Sequence, residues 1–176
     1  MDSVFEAAKQ SAVQLAENLK RLDDQKIVLA ESCSCGMAVA LLGGVPGISQ
    51  FLCGSAVTYR IPTKATWLGI DPDLIAEHTA ESQQTTREMA ISVLSNTPEA
   101  NWSAAITGHL GPNAPVNDGL VYLCVAVKGW DEADTIEEIY ISSETQVQLQ
   151  STGRVERQTE SAAALLNALN HCMNQI

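Results

Sequence analysis

Basic residues are scarce in this chain. Ten Lys and Arg stand against 21 Asp and Glu, giving a formal net charge of −11. Nucleic acid and anionic membrane surfaces both need clustered Lys and Arg, so this balance argues against either as a partner. Long apolar runs are also missing, and nothing in the sequence reaches the roughly 20 residues that a bilayer-crossing helix needs. Aromatics are few, at 5%. The opening stretch "MDSVFEAAKQSAVQLAENLKRL" lacks a basic segment followed by an apolar one and reads as an amphipathic helix rather than a signal peptide. A cytoplasmic location is the resulting expectation. The five cysteines are an odd number without a repeating framework, which predicts free thiols in a reducing compartment.

What is present is a globular composition, 45% hydrophobic and 18% charged. The 176 residues suit one domain spanning 1–176. Apolar residues recur at helical spacing from about Ser3 to Leu22. "KIVLA" (26–30), "FLCGSAVTY" (51–59) and "WSAAITG" (102–108) read as strands. A helix in "CGMAVALLGGV" ends at Gly43 and Gly44. Further helices are expected after Pro62, in "DPDLIAEH", in "TTREMAISVLSN" and from Arg154 to Asn174. "GLVYLCVAVKG" and "DTIEEIYIS" read as an antiparallel pair across a turn at Gly129 to Asp131. Alternating helices and strands with a late strand pair predict an α/β sandwich with a mixed sheet.

In open α/β sheets, ligands collect at the carboxyl ends of strands. Three loops leave the expected strands: "ESCSCG", "TYRIPTK" and "TGHLGPNAP". The first places Ser32, Cys33, Ser34 and Cys35 in a row before a helix, where free N–H groups can meet an anion or an oxyanion. Ser32 or Ser34 can equally be a helix N-cap. Cys33 and Cys35 have Cys-x-Cys spacing, and His78, His109 and His171 are scattered, so a metal site of about four ligands is not expected. A thiol redox pair lacks the C-x-x-C spacing, and a Cys33–His109 pair has only loop proximity in its favour. In the second loop, Lys64 lies in the first turn of a helix, against the dipole. A buried lysine there can lose its proton near neutral pH and deprotonate a serine. The alternative is a solvated lysine beside a core tyrosine, Tyr59.

Taken together, "AESCSCG", "GSAVTYRIPTKATWLGI", "AESQQTTREMA", "AITGHLGP" and "RVERQT" resemble, in order and spacing, the C-terminal domain family of the competence/damage-inducible protein CinA. The resemblance covers nearly the whole chain. It implies a three-layer α/β/α sandwich and an amidohydrolase that converts nicotinamide mononucleotide (NMN) to nicotinic acid mononucleotide and ammonia. It implies Ser32 as nucleophile, Lys64 as its base and Tyr59 as a positioning or relay group. Ser34, Gly36, Thr107 and Gly108 would lie at the substrate, with Arg157 meeting its phosphate. No metal or organic cofactor is implied, and the family's short domains imply a homodimer or higher homo-oligomer. The chain departs from the family pattern at Cys35, where a glycine is usual, in "LGPNAP", which lacks two glycines, and in "STGRVERQ", where one arginine is absent or displaced to Arg154. These departures support an alternative: a non-catalytic relative that binds a pyridine nucleotide or acts as an oligomeric binding module.

Overall fold

The computed structural model describes residues 2–22, 24–114, 116–130 and 137–175. In chain order the elements are α1 (Asp2–Leu22), β1 (Ile27–Glu31), α2 (Met37–Gly43), β2 (Leu52–Val57), α3 (Ile61–Leu68), α4 (Pro72–His78), α5 (Gln83–Ser95), β3 (Trp102–Gly108), β4 (Leu120–Trp130), β5 (Glu137–Gln148) and α6 (Arg154–Met173). A single 3-10 turn, Ile48–Gln50, leads into β2.

The strands form one sheet in the order β2-β1-β3-β4-β5. β1 pairs in parallel with both β2 and β3, while β3–β4 and β4–β5 are antiparallel. The mixed sheet expected from the sequence is therefore present. The antiparallel pairing of the last two strands is present too, though the turn expected over Gly129 to Asp131 runs into residues outside those described.

Strand alternation separates two cores. Ile27 and Leu29 of β1, with Trp102, Ala104 and Ile106 of β3, pack against α1, α2 and α6. Val28 and Ala30 of β1, with Ala105 of β3, face α3, α4 and α5. A period of two sends neighbouring residues to opposite faces, and both faces of the central strands are covered. This gives three layers, α/β/α. β1 is buried at every position, as a central parallel strand should be.

Because β1, β2 and β3 run parallel, the loops that follow them emerge at one edge. Gly108 closes β3 there with φ of +153°, a conformation that L side chains rarely adopt. A Cβ on it would stand 2.5 Å from the Leu120 carbonyl oxygen and 2.7 Å from Val121 Cα, both backbone atoms of β4. Neither can move without disturbing the ladder. Gly108→Ala should therefore lower stability by about 1–3 kcal/mol, as overpacking does, read as a drop in the urea midpoint at unchanged slope. A midpoint equal to wild type would show that the β3–β4 approach yields freely.

Candidate active site

The site starts from the last residue of β1. Glu31 points to the α2 face and is fully buried. Its Oε2 accepts from Ser34 Oγ at 2.8 Å, Gly36 N at 3.0 Å and Ala38 N at 3.1 Å. Its Oε1 accepts from Val39 N at 3.0 Å and Ser55 Oγ at 3.1 Å. A buried carboxylate needs such donors, and the orphan N–H groups of a helix start need an acceptor. Glu31 meets both needs, capping α2 from the end of the neighbouring strand. The sequence suggested Ser32 or Ser34 as the N-cap. The residue at that position is Gly36, with φ of +88° and no capping side chain, because the Glu31 carboxylate already occupies the helix start.

The same alternation turns Ser32 to the opposite face, toward α3. Lys64 comes from α3 with 1% of its surface exposed. Its Nζ donates to Ser32 Oγ at 2.8 Å and to the Thr58 carbonyl oxygen at 2.7 Å. Burial lowers the Lys64 pKa to about 8, against a smaller opposing pull from Glu81 and Cys33. An amine with this pKa is partly neutral near physiological pH and can accept a serine proton. Cys33, next to Ser32, is buried, and burial pushes its thiol up to about 12 despite a pull from the Ser34 and Cys33 N–H groups. It is an inert core thiol. All five cysteines are free. Cys35 is exposed and adopts φ of +54°. A side chain in this left-handed region costs about 1–2 kcal/mol, a cost that glycine would avoid.

The remaining residues singled out in the sequence lie around this centre, with their polar atoms turned toward the framework. Ser34 Oγ and the Gly36 amide serve Glu31. Thr107 Oγ1 shares a 2.7 Å hydrogen bond with Thr86 Oγ1 of α5. Arg157 is 8% exposed. It donates from Nε to the Ser151 carbonyl, from Nη1 to the Leu110 carbonyl and Asp118 Oδ1, and from Nη2 to Asp118 Oδ2. That clamp fastens the β3–β4 loop to α6, and the guanidinium holds the Asp118 carboxyl below its ordinary pKa. Tyr59 is 51% exposed, and its hydroxyl accepts from Arg154 Nη2 at 2.7 Å rather than bonding Ser32 or Lys64. Arg154 Nη1 also reaches the Gly111 carbonyl at 2.7 Å. Arg154 thus spans the second and third loops. Beside Tyr59 a cleft of about 590 Å³ runs past Ile61 and Pro62 to Thr79 and Glu81.

No group of three His, Cys, Asp or Glu side chains able to hold a metal occurs among the described residues. Nor is any helix among them long and apolar enough to cross a membrane.

The family model of the CinA C-terminal domain matches residues 8–173. The chain belongs to that family. It is 33% identical over 121 residues to a CinA-like protein of Myxococcus xanthus, a match covering 67% of this chain and 28% of the relative. A CinA-like protein of Prochlorococcus marinus subsp. pastoris is 31% identical over 143 residues, 80% of this chain and 32% of the relative. The chain thus matches only about a third or less of these relatives' length. Among solved structures, a CinA superfamily protein of Klebsiella pneumoniae 700603 superposes with a TM-score of 0.82 at 19% identity, covering 96% of this chain and 99% of the other. The competence/damage-inducible protein of Agrobacterium tumefaciens gives a TM-score of 0.80 at 24% identity, covering 96% of each. These likenesses establish the α/β/α fold of the family.

The buried lysine carries a stability signature with a definite sign. Below its folded pKa of about 8, Lys64 is charged in both states and the full desolvation cost is felt. Between about 8 and the ordinary 10.5, the unfolded chain holds more protons than the folded one, so stability rises with pH. Above that range both forms are neutral and the cost is gone. Wild type should therefore gain about 2–3 kcal/mol on Lys64→Met between about pH 7 and about pH 10. Urea denaturation at both pH values checks this, and a constant difference would mean that the ammonium is not penalised by burial.

Proposed function

We propose that the chain is a serine amidohydrolase that releases ammonia from a carboxamide, with NMN as its substrate and nicotinic acid mononucleotide as its product. The observation that carries this reading is the 2.8 Å contact between Lys64 Nζ and Ser32 Oγ, made by an amine that burial brings to a pKa of about 8. Among the buried polar pairs, this one joins a potential nucleophile to a potential base, and structural duty alone does not call for a lysine there.

The chemistry follows from these two side chains. Neutral Lys64 takes the proton of Ser32 as Oγ attacks the carboxamide carbon. The amides of Cys33 and Ser34 bond neither Glu31 nor a backbone carbonyl and meet only the neighbouring Cys33 thiol, and they are the donors we assign to the oxyanion. The Lys64 ammonium then returns its proton to the departing nitrogen and ammonia leaves, with the acyl group on Ser32. Water adds to this ester, Lys64 takes the water proton, and the acid product departs as Ser32 recovers its hydrogen.

The cleft beside Tyr59 falls in the size range of small-molecule sites. For the phosphate, the sequence favoured Arg157, whose guanidinium is largely committed to Asp118 and two carbonyls. Arg154 bridges Tyr59 and Gly111 with N–H groups to spare, and it is the better-disposed cation for an anionic substrate.

Purified protein should release ammonia from NMN, with a rate that rises through about pH 8 as Lys64 loses its proton. Ser32→Ala and Lys64→Arg should each reduce the rate about 1,000-fold or more, since arginine keeps its proton in proteins, while Cys33→Ala retains most of it. Ammonia release by Ser32→Ala at the wild-type rate would overturn the assignment. No ammonia from folded wild type would favour a binding-only relative.

A further inference from the structure

One buried threonine beside the Ser32–Lys64 pair leaves its hydroxyl without a partner. Thr58 follows β2 directly and is fully buried. Its amide donates to the Glu31 carbonyl at 2.9 Å, and its carbonyl receives Lys64 Nζ. Its Oγ1 has no hydrogen-bond partner, alone among the buried side-chain nitrogen and oxygen atoms of the described residues. The other buried hydroxyls nearby are all partnered: Ser34 with Glu31, Thr107 with Thr86, Ser103 with the Ala90 carbonyl. An unpartnered buried hydroxyl is destabilising. Valine has the same shape, suits the end of a strand and would avoid that cost.

Alternation along β2 places the hydroxyl. Ala56 packs in the core under α3 to α5, and Val57 faces Gly36 on the α2 side. Thr58 therefore shares the face of Ala56, the face on which Ser32 and Lys64 meet. A lysine nitrogen has room for one more partner beyond Ser32 Oγ and the Thr58 carbonyl. Thr58 Oγ1 and Lys64 Nζ, each with unused hydrogen-bonding capacity, thus lie on the same face of the sheet as the nucleophile, and a water held inside a protein requires about two to four such partners.

We propose that Thr58 Oγ1 holds the hydrolytic water of the second half-reaction, between itself and Lys64 Nζ. This inference rests on the amidohydrolase reading above. Once ammonia has left, the water oxygen bonds to the acyl carbon and its proton passes to neutral Lys64. The bond from that carbon to Ser32 Oγ breaks, and Lys64 returns the proton to Oγ. Thr58 orients the attacking oxygen through one hydrogen bond. The hydroxyl is needed for hydrolysis of the ester and not for its formation.

The test compares wild type, Thr58→Val and Thr58→Ser with NMN, following ammonia and nicotinic acid mononucleotide separately on the rapid-quench timescale, with intact-protein mass at each point. In Thr58→Val the steady rate should fall roughly 10- to 100-fold, the size expected for one lost hydrogen bond at a reacting group. Ammonia should appear in a burst of about one per chain, and Ser32 should carry the acyl group by mass. Thr58→Ser should restore the wild-type course. The urea midpoint of Thr58→Val should equal or exceed that of wild type, since an unpartnered hydroxyl is removed. An unchanged rate in Thr58→Val, or a slower rate without burst or adduct, would overturn the role of Thr58 and leave the amidohydrolase standing. No ammonia from wild type would overturn both.

Discussion

Everything at this site depends on how the chain leaves β1. The strand's period of two sends Glu31 to one face of the sheet and Ser32 to the other. Glu31 gathers five donors from the turn, from α2 and from β2. Those bonds fix the turn in three dimensions and use up the N–H groups at the helix start. Ser32 is thereby held at the opposite face, under α3, where Lys64 reaches it. The helix start, a ready anion site by its geometry, is instead occupied by the protein's own carboxylate.

The second constraint is the burial of Lys64. Lysine is almost never fully buried unless paired, and the acceptors it has here are neutral, a hydroxyl and a carbonyl. The structure tolerates an amine that is costly to charge, and that cost is what leaves it partly neutral near pH 8. Under the proposed function, stability and chemistry are set against each other in this one side chain. The Arg157–Asp118 clamp and the close approach at Gly108 then hold the third loop in place around the pair.

Much of the fold was legible in the sequence. β3 runs from Trp102 to Gly108 as its apolar run indicated, and α6 begins at Arg154 as expected. β5 extends to Gln148, past the point where the sequence stops reading as a strand. It is an edge strand, and its later residues, Ser143 to Gln146, are polar because one side meets solvent. At the site, Ser32 and Lys64 were found through family resemblance, because no local spacing announces a contact made across 32 residues. The part played by Glu31 was missed: an acid closing an apolar strand looks like a boundary until its donors are seen. Its available signal was the glycine-containing turn and helix start that follow it. Thr58 gave no signal, since threonine suits the end of a strand whether or not its hydroxyl is used.

The central claim is that a buried, partly neutral Lys64 makes Ser32 a nucleophile. The most direct test is independent of substrate: the rate at which a small fluorophosphonate labels the protein, followed by peptide mass mapping across pH. The account predicts one adduct per chain, on Ser32, forming at a rate that rises with a midpoint near the Lys64 pKa of about 8, and no adduct in Lys64→Met. Labelling of Ser32 at a pH-independent rate, or equal labelling in Lys64→Met, would contradict it.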